Sequence, residues 1–331
     1  MKGVFLASAT ALAIAASSAY AADIKPAVVY DQAGKFDKSF NEGVYNGITE
    51  FTEDTGIKVR ESEPKNEAQV EQNLRRLAKR GYSPIVAVGF TMMSAVTKVA
   101  QDFPEVEFTI IDAVIDLPNV QSIVFKEHEG SFLVGALAAM ASETDTVGFV
   151  GGMDIPLIRK FGCGYEQGAK YITPNATVIQ NMTGSTGAAF NDPTKGSELA
   201  KSQFSKGADV VFAAAGGTGI GVYQAAKDEG KLAIGVDSNQ NHIQPGTMLT
   251  SMVKRVDAAA YKVFEEANTG TWKPGLEVLG LSDGGVSWAQ DDYNKDLITA
   301  DMKAKMDDVK AKIISGEISV HDYMSDSTCN Y

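Results

Sequence analysis

Three aspartates stand directly after short apolar runs: Asp31 after AVVY, Asp112 after FTII and Asp237 after AIGV. A carboxylate in such a position either caps the helix that follows or faces the crevice at the carboxyl ends of a parallel sheet. Three of them in separate strand–helix units point to convergence on one crevice. There they would accept hydrogen bonds from a neutral ligand rich in donors, such as sugar hydroxyls or ring N–H groups, and would repel phosphate. Lys254, in SMVKRVD, follows another such run. It is either a surface lysine or a partner of Asp237 that donates to a hydroxyl. Phe40 and Asn41 lie in FDKSFNEG, just before a helix that Ser39 or Asp37 could cap. The Phe40 ring either staples its own helix or stands at the loop mouth, where its face can stack on a planar ring. Asn41 carries both a donor and an acceptor, which suits the edge of a heterocycle. The segment AAAGGTGIG, from Ala213, lacks the Lys-Ser/Thr of a phosphate loop and the spacing of a dinucleotide fingerprint. Its glycines, Gly217 among them, offer backbone N–H groups or allow close approach.

These residues must be carried by something, and the chain alternates short apolar runs with longer amphipathic ones. Strand-like runs fall at 27–30, 58–61, 85–88, 107–111, 122–125, 146–150, 177–181, 209–213, 232–236 and 248–252. Many are unbroken Val/Ile/Phe/Ala stretches, as expected of parallel strands covered on both faces. Helical patterns fall at 67–80, 92–102, 130–141, 196–206, 219–229, 257–268 and 294–314. The repetition argues a doubly wound α/β architecture, long enough for two sheets. The polar stretch 142–145 is the first candidate crossover between them.

The chain opens with Lys2, an apolar run over 4–16 and the small-x-small triplet Ala19-Tyr20-Ala21. That is the pattern of a signal peptide over residues 1–21, cleaved after about Ala21. With no cysteine at the cleavage point, a soluble periplasmic protein without a lipid anchor is expected. The roughly 310 residues left are comfortable for two cores. A formal net charge of −12 makes nucleic acid a poor partner and suits a soluble monomer. Cys163 and Cys329 are either bridged, as an even count in an oxidising compartment favours, or two separate buried thiols. His128, His242 and His321 are scattered without metal-ligand spacing, neither cysteine has a plausible base, and no Gly-x-Ser-x-Gly elbow occurs. Binding without catalysis, metal or cofactor is the expectation.

Taken together, the chain resembles the basic membrane protein family of ABC-transporter substrate-binding proteins, in particular its purine nucleoside receptor A group. The matching stretches are DKSFNEG (37–43), FTIID (108–112), EGSFLVG (129–135), VGFVGGMDIPLIRKFGCGYEQGAK from Val147, AAAGGTGIGVYQAAKDEG from Ala213, IGVDSNQ from Ile234 and LTSMVKRVD from Leu249. The resemblance implies a type I periplasmic binding protein fold: two Rossmann-like α/β lobes with parallel sheets and three hinge crossovers. Residues 22–128 plus 254–284 would form the N-terminal lobe, and 129–253 plus 285–331 the C-terminal lobe. It implies a small-molecule ligand, a purine nucleoside or base, and ABC permease subunits as partners. Carried over by motif, Phe40 would stack on the base and Asn41 contact it. Asp31, Asp112, Asp237 and Lys254 would contact ribose or base, and Gly217 would supply a backbone donor or allow close approach. The motifs do not assign the second stacking aromatic, for which Phe161, Tyr223 and Trp288 are the candidates. Members of the family also take other planar heterocycles such as riboflavin. A nucleoside-processing enzyme, or a sensor presenting its ligand to a membrane receptor, could use the same scaffold. Many members carry a lipidation cysteine that this chain lacks.

Overall fold

The apolar runs assemble into two six-stranded sheets in a computed structural model that describes residues 24–329. The leader expected over residues 1–21 lies outside the described residues. The first sheet contains β1 (Ala27–Val29), β2 (Arg60–Ser62), β3 (Ile85–Val88), β4 (Phe108–Ile111), β5 (Val120–Phe125) and β11 (Gly275–Leu279), in the order β11-β5-β4-β3-β1-β2, all parallel. The second contains β6 (Thr146–Met153), β7 (Thr177–Gly184), β8 (Val210–Ala214), β9 (Leu232–Asp237), β10 (Met248–Lys254) and β12 (Val286–Trp288), in the order β12-β10-β9-β8-β6-β7. Here β12 runs antiparallel to β10, and the other pairings are parallel. β3, β4 and β8 are buried at every residue, the reason their sequences show no polar alternation.

Helices cover both sheets: α1 (Phe40–Thr55), α2 (Glu67–Lys79), α3 (Met93–Asp102), α4 (Glu127–Ala141), α5 (Pro156–Ile172), α6 (Pro193–Ser205), α7 (Gly219–Asp228), α8 (Val256–Asn268) and α9 (Ala300–Ser315). α5 carries no helical signal in the sequence reading above, because its glycines look like turn residues. They serve a different purpose. A Cβ at Gly168 would fall 1.9 Å from Phe132 O, and one at Gly135 would fall 2.0 Å from Tyr165 O, so α4 and α5 touch backbone to backbone. α9 begins at Ala300 behind a Thr299 cap, later than the 294 expected. Asn294 is instead fully buried in the preceding turn, its Nδ2 donating to Leu249 O and Ala289 O at 2.9 and 3.0 Å.

The chain passes from one sheet unit to the other three times: at 125–127 between β5 and α4, at 254–256 between β10 and α8, and at 279–286 between β11 and β12. α8 lies on α1, whereas α4 lies on α5 and β10. The stretch 142–145 is therefore not a crossover, in contrast to the expectation from its polarity. It joins α4 to β6 within one lobe, where the Asp209 carboxylate accepts from Ser142 Oγ at 2.6 Å and Glu143 N at 2.7 Å. The true crossovers are tied to each other. Lys126 N donates to Leu279 O and Arg255 N to Gly285 O, both at 2.8 Å, and Leu281 N donates to Glu129 Oε2 at 2.9 Å. Beyond α9 the tail returns to α5, where Cys163 and Cys329 are disulfide-bonded with Cα atoms 5.5 Å apart. Among the described residues, no helix is long and apolar enough to cross a membrane.

Candidate functional site

The carboxyl ends of the two sheets face each other across a gap, as expected of ligand crevices in open α/β sheets. A partly open pocket with about 60 Å³ of free space lies there. The first lobe contributes Asp31, Asp37, Phe40, Gly89, Phe90 and Asp112 to its wall. The second contributes Leu157, Ile158, Phe161, Phe190, Gly216, Val236 and Asp237, and Lys254 reaches the space from the second crossover. Asp112 and Asp237 both terminate their strands in the left-handed region, at φ 69° and 64°. That conformation is disfavoured for most side chains and tolerated best by Asp and Asn, so these positions accept few residue types.

The Lys254 ammonium is the centre of the charge arrangement. Its Nζ lies 2.6 Å from Asp112 Oδ2 and 3.1 Å from Glu127 Oε1, and the three side chains are only 2%, 8% and 1% exposed. The rings of Phe125, Phe40 and Phe161 approach the same nitrogen at 5.0, 5.1 and 5.7 Å, within cation–π range. Burial alone would lower the ammonium's pKa, but Asp112, Glu127 and Asp237 outweigh it and hold Lys254 above its ordinary value. Burial pushes the Glu127 carboxyl up, and Lys254 with Lys160 reverses this and holds it below the usual range.

The aspartates differ in how they are satisfied. Asp37 accepts the backbone N–H groups of Ser39, Asn41 and Glu42 at 2.9, 3.0 and 3.1 Å and so caps α1. Ser39 is thereby free to reach across the gap, where its hydroxyl donates to Asp237 Oδ2. Asp31 Oδ1 accepts from Ala33 N at 2.9 Å and Asn41 Nδ2 at 2.6 Å. Asp112 Oδ1 is buried and has no partner among the described residues. Burial drives the Asp237 carboxyl up to about 7 and that of Asp31 up to about 6. A wall with four aspartates and one lysine offers many acceptors and little for an anion to bind.

Of the residues singled out in the sequence, Asp31, Phe40, Asp112, Asp237 and Lys254 line this one space. Asn41 does not. It is fully buried behind the wall, where Nδ2 donates to Asp31 and Asp37 and Oδ1 accepts from Asp31 N at 3.3 Å, so its polar groups are engaged in holding aspartates. Gly216, with φ 55°, borders the space in place of Gly217, which sits beside Phe190 and Asn191. Of the three candidate aromatics, Phe161 lines the space. Tyr223 is fully buried inside its own lobe, its hydroxyl donating to Gln240 Oε1 at 2.7 Å, and Trp288 is half-buried on β12 away from the wall. Sequence reasoning missed Phe90 and Phe190, one from each lobe, which meet edge-to-face with centroids 6.4 Å apart. Phe90 follows Gly89 at a strand end, the same signal that marks the aspartates. Phe190 sits in a short 3-10 turn after β7 with no such signal.

Comparison with known proteins adds an independent finding. A family model described as "ABC transporter substrate-binding protein PnrA-like" matches residues 24–323. The ABC transporter nucleoside-binding protein BmpA of Lactococcus lactis is 30% identical over 321 residues, covering 90% of this chain and 89% of that one. An uncharacterized lipoprotein of Pyrococcus horikoshii is 35% identical over 277 residues, covering 80% and 68%. Among solved structures, an ABC transporter system solute-binding protein from Aeropyrum pernix K1 superposes with a TM-score of 0.83 at 29% identity, covering 89% and 92%.

Proposed function

Because the chain belongs to the PnrA-like family of ABC transporter substrate-binding proteins, a family of solute binders and not of enzymes, we propose that it captures a purine nucleoside or related purine base between its lobes for the permease subunits of an uptake transporter. The observation that carries this reading is the unpartnered Asp112 Oδ1, buried beside Lys254 and Phe40 in an acceptor-rich space. An unmet buried acceptor costs free energy until a donor arrives, and a ribose hydroxyl or ring N–H is such a donor. The base stacks on Phe40, with Phe161, Phe90 and Phe190 forming the other aromatic walls. Asp112 and Asp237 accept from hydroxyls, Lys254 donates, and the surplus of carboxylates turns away phosphorylated ligands.

Residues 22–128 plus 254–284 and residues 129–253 plus 285–331 act as the two lobes, closing about the three crossovers. Across the closed gap, Gln240 Nε2 donates to Lys38 O at 2.6 Å and Ser39 to Asp237, contacts that opening would break. The leader-like residues 1–21 support release as a soluble periplasmic monomer, whereas the Pyrococcus relative is named a lipoprotein. The mass of the mature chain distinguishes the two.

Isothermal titration of the ligand-stripped protein against adenosine, inosine, guanosine, adenine and riboflavin tests the reading. A stacked ring with several charge-assisted hydrogen bonds should bind with on the order of −8 to −10 kcal/mol. Absence of heat with every purine sinks the proposal, and heat with riboflavin alone moves it to a flavin receptor.

A further inference from the structure

Two buried charges lie outside the wall of the cavity and have no part in the reading above. Glu127 opens α4 at the first crossover, and Lys160 sits on α5. Their side chains are 1% and 7% exposed, and Lys160 Nζ lies 2.9 Å from Glu127 Oε2. Lys160 also donates to Phe125 O, on the same crossover, at 2.7 Å. The other Glu127 oxygen is the one that approaches Lys254, at the start of the second crossover. On its far side Lys160 lies 3.7 Å from Asp322 Oδ2, in a tail pinned by Cys329 and by the paired bonds between Gln167 and the His321 backbone at 3.0 and 2.8 Å. Alternating charges thus run from Asp112 through Lys254, Glu127 and Lys160 to Asp322, threading two of the three hinge segments.

Such a chain is poorly explained as a stabilising device, because the cost of desolvating buried ions cancels much of their attraction. It is well explained as a way of fixing one flexible group. A lysine on a four-carbon stem with a single carboxylate partner can follow that partner or turn toward Asp237. A second carboxylate, itself immobilised by Lys160 and the crossover backbone, leaves the ammonium one place to be. We infer that Glu127 and Lys160 are positioning residues of the ligand site, their ion pair at the pivot holding the Lys254 ammonium where a ligand hydroxyl meets it. The pair reaches the rings only through the Lys254 ammonium, 5.1 Å from the Phe40 centroid, so it bears mainly on recognition of the sugar and less on that of the base. The inference rests on the nucleoside reading of the cavity.

The test is titration of the wild type, Glu127→Gln, Lys160→Met and the double variant with a nucleoside and with its free base. Each single change should weaken the nucleoside by about tenfold or more, the scale of one charge-assisted hydrogen bond, and the free base by much less. The double variant should bind the nucleoside better than the two losses multiplied, because neither partner remains buried alone. Parallel losses for nucleoside and base, or no loss for either, overturn the inference. Should the wild type bind no purine, the reading of the cavity fails by itself. The inference is then judged by the Lys254 side-chain resonance in lysine-labelled protein, and a resonance unmoved by Glu127→Gln overturns it.

Discussion

Replacing Asp237 by Asn should stabilise the empty protein while weakening its grip on a nucleoside. Burial raises the Asp237 carboxyl from its ordinary 3.8 to about 7. A group whose pKa is raised on folding contributes stability that is fully present below its unfolded value, near 4, and lost as pH rises through 7. At pH 8 the ionised carboxylate therefore costs the native state on the order of 4 kcal/mol relative to a neutral side chain. The amide of Asn carries no titrating charge, keeps an acceptor for Ser39 and tolerates the φ of 64° at this strand end. At about 2 °C per kcal/mol for a chain of this size, the melting temperature without ligand should rise by roughly 8 °C at pH 8. The gain should shrink steadily as pH falls, to about half a kcal/mol at pH 4, and vanish below about pH 3, where Asp237 is protonated in both states. Differential scanning calorimetry at pH 4, 6 and 8 reads this directly. An equal melting temperature at pH 8, or a gain that does not depend on pH, would show that the buried carboxylate is not charged at the expense of the fold.

Other outcomes follow from the same geometry. Phe40→Ala should weaken nucleoside and free base alike by about 1–3 kcal/mol in titration, the range for base stacking on an aromatic ring; an unchanged affinity removes Phe40 from the site. Asp237 and Asp31, raised to about 7 and 6, accept more strongly from ligand hydroxyls when ionised. Affinity should accordingly be flat above pH 8 and fall as pH drops through 7, by up to about tenfold per unit, with proton release on binding visible across buffers of different ionisation enthalpy. Cys329→Ser opens a link between residues 166 apart in sequence and should cost about 2–4 kcal/mol of stability, with early proteolysis of the tail beyond α9. A tail that stays protease-resistant would mean that the Gln167–His321 bonds hold it unaided.

Much of the frame is legible in the residues, and the exceptions have physical causes. Strands such as FTII and IVAV announce themselves because both faces are covered, so nothing polar interrupts them. β11 stays hidden because it lies at the edge of its sheet, with Leu276 and Val278 exposed and Glu277 between them. α5 stays hidden because glycine, elsewhere a helix breaker, is here what lets two helices touch. In the site, the strand-end aspartates and Lys254 stand out by position, since the carboxyl ends of parallel strands are where crevices form, although position by itself fits capping carboxylates and a surface lysine equally. Glu127 and Lys160 are not. Charged residues on helices normally face water, and only the packing of α4 on α5 reveals that these two are sealed at the hinge. Asn41 shows a related effect: its functional groups suit a heterocycle, and in the structure the neighbouring aspartates hold them.

The passage of the chain back and forth between the sheets has a consequence for how the molecule can be made. The first sheet is completed only by β11, and α1 is covered only when α8 is available, so residues from both ends of the sequence are needed for one half. Neither half is a single continuous stretch of the sequence. A polypeptide of this topology can complete neither half until most of its length has been delivered.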